Sequence, residues 1–138
     1  MMTSRFAVGD RLPAWTAPAV SRTDIIRYQG ASGDFDAAHH SDDHARRFGY
    51  PGVFSLGMLH AGMLSAYVTR FFKPMSIRRF RSRFAAVVYP GDVLTYSGTI
   101  EAIREQDGTR WLDVDLFCRR EADGAAVTLG NASIRIPN

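Results

Sequence analysis

The chain reads as an α+β domain in which one buried helix is wrapped by a curved antiparallel sheet. Three observations predict this. Residues Phe54 to Phe72 carry apolar side chains at three- and four-residue steps, and much of the opposite side is apolar too. After Pro74 the pattern changes to long segments of strand-like alternation separated by turn-forming clusters. A helix followed by a run of strands is the order of an α+β domain, not of alternating βα units. The 138 residues, 46% apolar and 22% charged, suffice for a single domain with a full core.

Phe6 to Ala19 is expected to be irregular or briefly extended, because Pro13 and Pro18 bar a long central strand. Ser21-Arg22-Thr23-Asp24 is a variant of the capping box. It opens a short helix over Asp24 to Ala31, with Ile25, Ile26 and Tyr28 for burial. A second short helix, Asp42 to Phe48, starts from a Ser41 cap and is ended by Gly49 and Pro51. The main helix puts Phe54, Met58, Ala61, Leu64, Ser65 and Val68 on one face, and Lys73-Pro74 stops it. With Leu56, Leu59 and Met63 filling the other side, it is expected to be buried nearly all round. Four strands follow: Ile77 to Val88, Asp92 to Arg104, Thr109 to Arg120 and Ala125 to Ile136. Their separators, Tyr89-Pro90-Gly91-Asp92, Glu105-Gln106-Asp107-Gly108 and Ala122-Asp123-Gly124, are turn chemistry.

Several classes of function fall away. Cys118 is the only cysteine, which excludes an internal disulfide and a cysteine-rich zinc site and suits a reducing cytoplasm. Met1 to Asp10 has no charged start leading into an apolar run, so no signal peptide is expected. Val53 to Val68 is broken by Ser55, Gly57, His60, Gly62 and Ser65 and is too short to span a bilayer. The net charge is +3, and Arg70, Lys73, Arg78, Arg79, Arg81 and Arg83 lie close together in the chain. Without interleaved exposed aromatics or a nucleic-acid motif, this patch suits a phosphorylated small molecule or a solvated strand face better than nucleic acid.

The segment that carries chemistry is Ser32-Gly33-Asp34-Phe35-Asp36-Ala37-Ala38-His39-His40. It sets a carboxylate and an imidazole five positions apart beside a glycine turn, with no helical apolar pattern. Asp34 and His39 are an ordinary pair for holding a water and moving its protons near neutral pH. Asp34 has a plainer reading as a turn or capping residue. His40 reads as a catalytic neighbour or as a buried structural partner. His40 and His44, four apart with Asp43 between them, lack a third convincing ligand, so no metal is expected. His60, inside the main helix, is expected to be a hydrogen-bonded core or interface histidine.

The chain resembles the MaoC-type branch of the hot-dog fold, the (R)-specific enoyl-CoA hydratases and 3-hydroxyacyl-thioester dehydratases. The resemblance rests on Gly33-Asp34-Phe35-Asp36-Ala37-Ala38-His39, on Gly57-Met58-Leu59, and on Arg83-Phe84 with Pro90-Gly91-Asp92. It covers roughly residues 20 to 136. Asp36-Ala37 stands where the family carries Asn-Pro, Leu56 where it has a histidine, and Gly62 where many members have a serine. The doubled His39-His40 and Tyr67-Val68-Thr69 are similar to the small MaoC-like subunits of steroid side-chain enoyl-CoA hydratases, which pair with a second MaoC-like chain.

The resemblance implies hydration of a 2-enoyl-CoA thioester, or the reverse dehydration, with Asp34 and His39 on one water and no cofactor. Gly57, near the start of the main helix, is suited to hold the thioester oxygen through its N–H, where the helix dipole helps; its plainer role is packing. Arg79, Arg81 and Arg83 alternate along one strand face and are candidates for the phosphates of CoA, with solvation or a subunit contact as the alternative. A homodimer, or a heteromer with a second MaoC-like chain, is expected by the same resemblance. A non-catalytic or half-site acyl-CoA-binding subunit is the second reading. A thioesterase would need a carboxylate on the main helix, and Phe54 to Phe72 contains no Asp or Glu.

Overall fold

The computed structural model describes residues 6–136. Five strands form one sheet: β1 (Arg11–Thr16), β2 (Ile77–Phe84), β3 (Leu94–Gln106), β4 (Thr109–Arg120) and β5 (Ala126–Ile136). Their order across the sheet is β1-β3-β4-β5-β2, and every neighbouring pair is antiparallel. Three helices precede β2: α1 (Arg22–Ser32), α2 (Asp42–Arg47) and α3 (Gly57–Thr69). This is the antiparallel sheet around a long helix that the hydropathy pattern predicts. Among the described residues no helix is long and apolar enough to cross a membrane.

Leu112, Val114, Leu116 and Cys118 alternate along β4 and are fully buried, as are Ala132 and Ile134 of β5 and Ile100 of β3. The period of two sends these side chains to one face, where Leu64, Tyr67 and Val68 of α3 meet them. Tyr67 spends its hydroxyl on the carbonyl of Pro13 at 3.0 Å, so its burial leaves no polar atom stranded. Pro13 is tolerated because β1 is an edge strand with a register shift between Leu12 and Trp15. β2 is the other edge; it pairs only with β5 among the described residues.

The α3 helix is shorter than its apolar pattern predicts. Residues 54–56 are extended instead, because Phe54 donates to the Ala38 carbonyl and Ser55 to the Val88 carbonyl. The helix therefore begins at Gly57. Nor is it covered all round: Met58 is 59% exposed, and the buried side runs through His60, Ala61, Leu64, Tyr67 and Val68. A single sheet can cover only one side of a helix, which leaves apolar surface on the other. In α1 the box at Ser21 and Asp24 forms as expected. Ile25 is buried, but Ile26 is exposed and the polar Gln29 takes the second interior position. Gly33 ends α1 in the left-handed region at φ 75°, which turns the chain out of the helix into the acid-histidine segment.

Candidate active site

Gln29 fixes the loop that carries the candidate acid. It is 2% exposed, and its amide nitrogen donates to the carbonyls of Asp34 at 3.0 Å and Asp36 at 3.1 Å. Its amide oxygen accepts from His40 Nδ1 at 3.1 Å. With both N–H groups and the oxygen engaged, the amide has one orientation, and three loop residues are tied to α1 through it. Asp36 then caps one turn of 3₁₀ helix, Ala37–His39, by accepting from Ala38 N–H at 2.8 Å. That turn brings His39 round towards α3. The sequence pattern did not single out Gln29, whose only trace is a polar residue one turn after Ile25 on the inward side of α1.

His39 is held from the other side. Its Nδ1 lies 2.7 Å from the Phe54 carbonyl, and its ring meets the Phe54 ring edge-on with centroids 4.8 Å apart. A carbonyl only accepts, so Nδ1 carries a proton, and the neutral form of the ring has its lone pair at Nε2. The Phe54 segment is anchored in turn: Asp42 Oδ1 accepts from Val53 N–H at 2.9 Å, and Arg22 pairs with the same carboxylate. These bonds, that of Val53 foremost, hold the Asp42 carboxyl below the usual aspartate range.

Asp34, His39 and Gly57 line one pocket, together with Tyr28, Ser32, Leu56, Met58 and Phe84. The Asp34 carboxylate is exposed and its Oδ1 accepts from Asp36 N–H at 3.2 Å. Gly57 is the first residue of α3, and the Leu56 cap supplies no side-chain hydrogen bond. The first N–H groups of the helix are thus left to an incoming acceptor, at its positive end. A Cβ at Gly57 would stand 2.9 Å from the Phe84 ring, which is the plainer packing role expected of this glycine.

The arginines are placed elsewhere. Arg79, Arg81 and Arg83 pair across to Ser133, Asn131 and Leu129, on the face of the sheet turned away from α3. Arg79 lines a shallow site with Arg104 and Asp113, and none of the three lines the Asp34 pocket. Arg70 of the same cluster lies over the Trp15 ring, 4.9 Å from its centroid. His40 is tied to Gln29, as a structural partner would be, but it is exposed and not buried as expected. His44 packs against Phe48, with ring centroids 5.0 Å apart. Among the described residues no group of three or more His, Cys, Asp or Glu is placed to hold a metal ion.

His60 is buried as expected but only half partnered. Its Nε2 is 2.8 Å from Ser55 Oγ, while Nδ1 has no hydrogen-bond partner. Burial pulls the imidazole down to about 4, against a weaker opposing pull from Asp92.

Comparison with known proteins fits this geometry. An (R)-specific enoyl-CoA hydratase of Rhodospirillum rubrum is 29% identical over 123 residues, which span 88% of this chain and 83% of that protein. The crystal structure of the ChsH1–ChsH2 complex from Mycobacterium tuberculosis aligns with a TM-score of 0.82 at 22% identity, over 96% of this chain and all of that one (100%). The (R)-hydratase from A. caviae involved in PHA biosynthesis aligns with a TM-score of 0.81 at 18% identity, over 98% of this chain and 100% of that one. These structural likenesses establish the hot-dog architecture. The model of the MaoC like domain matches residues 6–115, and the chain belongs to that family.

Proposed function

We propose that this chain hydrates 2-enoyl-CoA thioesters to (R)-3-hydroxyacyl-CoA, or catalyses the reverse dehydration, with Asp34 and His39 sharing one water. The observation that carries the reading is the locked tautomer of His39. Its proton is committed to the Phe54 carbonyl, so a basic nitrogen is available in the pocket that also holds the Asp34 carboxylate and the Gly57 end of α3. Family membership supports an enzyme that adds or removes water. The sequence relative in Rhodospirillum rubrum supports an (R)-specific enoyl-CoA substrate.

In this reaction the pair grips a water above the double bond. As the water oxygen bonds to C3, the pair takes one of its protons, and negative charge moves through C2 onto the thioester oxygen. The N–H of Gly57 meets that charge, strengthened by the helix end behind it. The pair then returns the proton to C2 on the same face. Oxygen has gone to C3 and hydrogen to C2, and both side chains are restored.

A second reading is a half-site subunit that works only beside another MaoC-like chain. The exposed apolar side of α3 at Met58 and the likeness to the ChsH1–ChsH2 complex favour a partner on that side. Leu56 and Gly62, where the family carries polar residues, favour it too. The experiment that separates the readings follows loss of the conjugated enoyl absorbance with the chain alone. Turnover that disappears in Asp34→Asn and in His39→Ala, with the fold intact, supports the first. Binding without turnover, or turnover only after a second chain is added, supports the other.

A further inference from the structure

The reaction as written makes no use of His60. This residue is 3% exposed, and its Nδ1 is the one buried side-chain nitrogen or oxygen without a hydrogen-bond partner among the described residues. Folded chains pair their buried polar atoms almost without exception, so an unpaired one in a helix otherwise packed with apolar residues calls for a reason.

His60 lines two cavities. One is a space lined by Ser55, Gly57 and Phe84, and Ser55 is the partner of Nε2. The other is a groove of about 440 Å³ between α1 and α3, walled by Tyr28, Ala31, Leu59 and Met63 and floored by Val20 and Leu94. Its lining is almost wholly apolar; Asp24 and Arg27 belong to the exposed side of α1 at its rim, which leaves His60 and the Tyr28 hydroxyl as the polar groups of the lining. Tyr28 joins this groove to the pocket of Asp34 and His39.

We propose that the groove takes the acyl part of the thioester and that His60 Nδ1 binds an oxygen on it, so that the preferred substrate carries a hydroxyl or oxo group beyond the reacting double bond. This rests on the reading that a thioester occupies the Asp34–His39 pocket. The imidazole, held neutral by burial, has one N–H and one lone pair. The Ser55 hydroxyl can either give or take the bond at Nε2, so Nδ1 is able to accept from a hydroxyl or donate to a carbonyl. A plain alkyl chain would bury the nitrogen still unpaired. That asymmetry is how a site rejects an analogue that lacks a polar group, whereas a wholly apolar wall discriminates weakly.

The test measures kcat/KM with the full chain for a series of ω-hydroxy 2-enoyl-CoA thioesters against unsubstituted ones of the same length. The wild type is expected to favour the oxygen-bearing thioester at one or more lengths by about tenfold or more. His60→Asn, whose amide reaches the Nδ1 position, should keep the preference. His60→Gln, which reaches the Nε2 position, and His60→Leu should bring the ratio to near one. A ratio near or below one at every length in the wild type, or an undiminished ratio in His60→Leu, overturns the inference and leaves the hydratase reading standing. If no thioester turns over, displacement of a bound saturated acyl-CoA by its ω-hydroxy counterpart decides instead. Preference lost in His60→Leu then keeps the assignment of the groove and removes the hydratase reading, and absence of preference removes both.

Discussion

On the outer face of the sheet Arg104 forms two bonds to Asp113, at 2.6 and 2.9 Å, and Ser133 donates to the same carboxylate at 2.7 Å. At the far end of the sheet Arg120 reaches Asp92, Asp123 and the Val87 carbonyl. The N-terminal end of α3 is built on the opposite plan. Its helix cap has no side-chain bond, Nδ1 of His60 is unpaired, and His39 commits one nitrogen and keeps the other for a visitor. Groups that satisfy one another hold a fold together. Groups held in position with bonding capacity left over are what a reacting molecule can use.

Mutations should separate the two regions. The largest effect is expected at the site: Asp34→Asn or His39→Ala should lower kcat/KM for enoyl-CoA hydration by about 10²–10⁴-fold. Thermal melting of Asp34→Asn should barely move, since the Asp34 side chain is exposed and makes only a local bond. Comparable losses in melting temperature would erase the contrast.

Acid should act on the buried histidine next. The folded state holds His60 at about 4, below its ordinary 6.5, so the unfolded chain binds the proton first. The stability this contributes is complete above pH 6.5 and is lost as pH falls towards 4, by on the order of 3 kcal/mol. Urea midpoints at about pH 7.5 and 4.5 should therefore differ more for the wild type than for His60→Leu. An equal acid loss in both would place the effect elsewhere.

Gln29→Leu should show both kinds of damage at once. It strands the carbonyls of Asp34 and Asp36 and the His40 nitrogen. A cost of about 1–3 kcal/mol in unfolding free energy is expected, with a fall in kcat of about tenfold as the acid loses its placement. Calorimetry beside initial rates checks it, and a variant that melts early yet turns over normally would show the amide to be structural only. Asp113→Ala should do the reverse, with a loss of about 1 kcal/mol and kcat intact. The smallest effect belongs to the arginines of β2. Replacing Arg79, Arg81 or Arg83 with alanine should raise KM for acyl-CoA by about two- to fivefold and leave acyl-pantetheine unchanged if they meet its phosphates. A KM for acyl-CoA unchanged from the wild type would give them to solvent or to a subunit contact.

Much of this was legible in the chain. The four strands after α3 announced themselves through alternation and turn clusters, β1 only as a briefly extended stretch, and the Ser21–Asp24 box placed α1 within a few residues. Asp34 and His39 stand out by chemical type, and both line one pocket. What stayed hidden came from contacts between distant segments. The start of α3 is decided by bonds from Phe54 and Ser55 to Ala38 and Val88, which no local pattern encodes. Gln29 looked like a surface residue because its partners lie in the next loop. The arginines do share one strand face, as their spacing says, but spacing cannot tell which side of the sheet that face is on.

Gln29 has one more consequence. It makes α1 and the acid-bearing loop move as one piece, and α1 is also a wall of the apolar groove. A misfitting acyl tail that pushes this helix aside therefore drags the carboxylate with it. Such a molecule would still dock but react slowly, so chain selectivity would be written in turnover more than in grip.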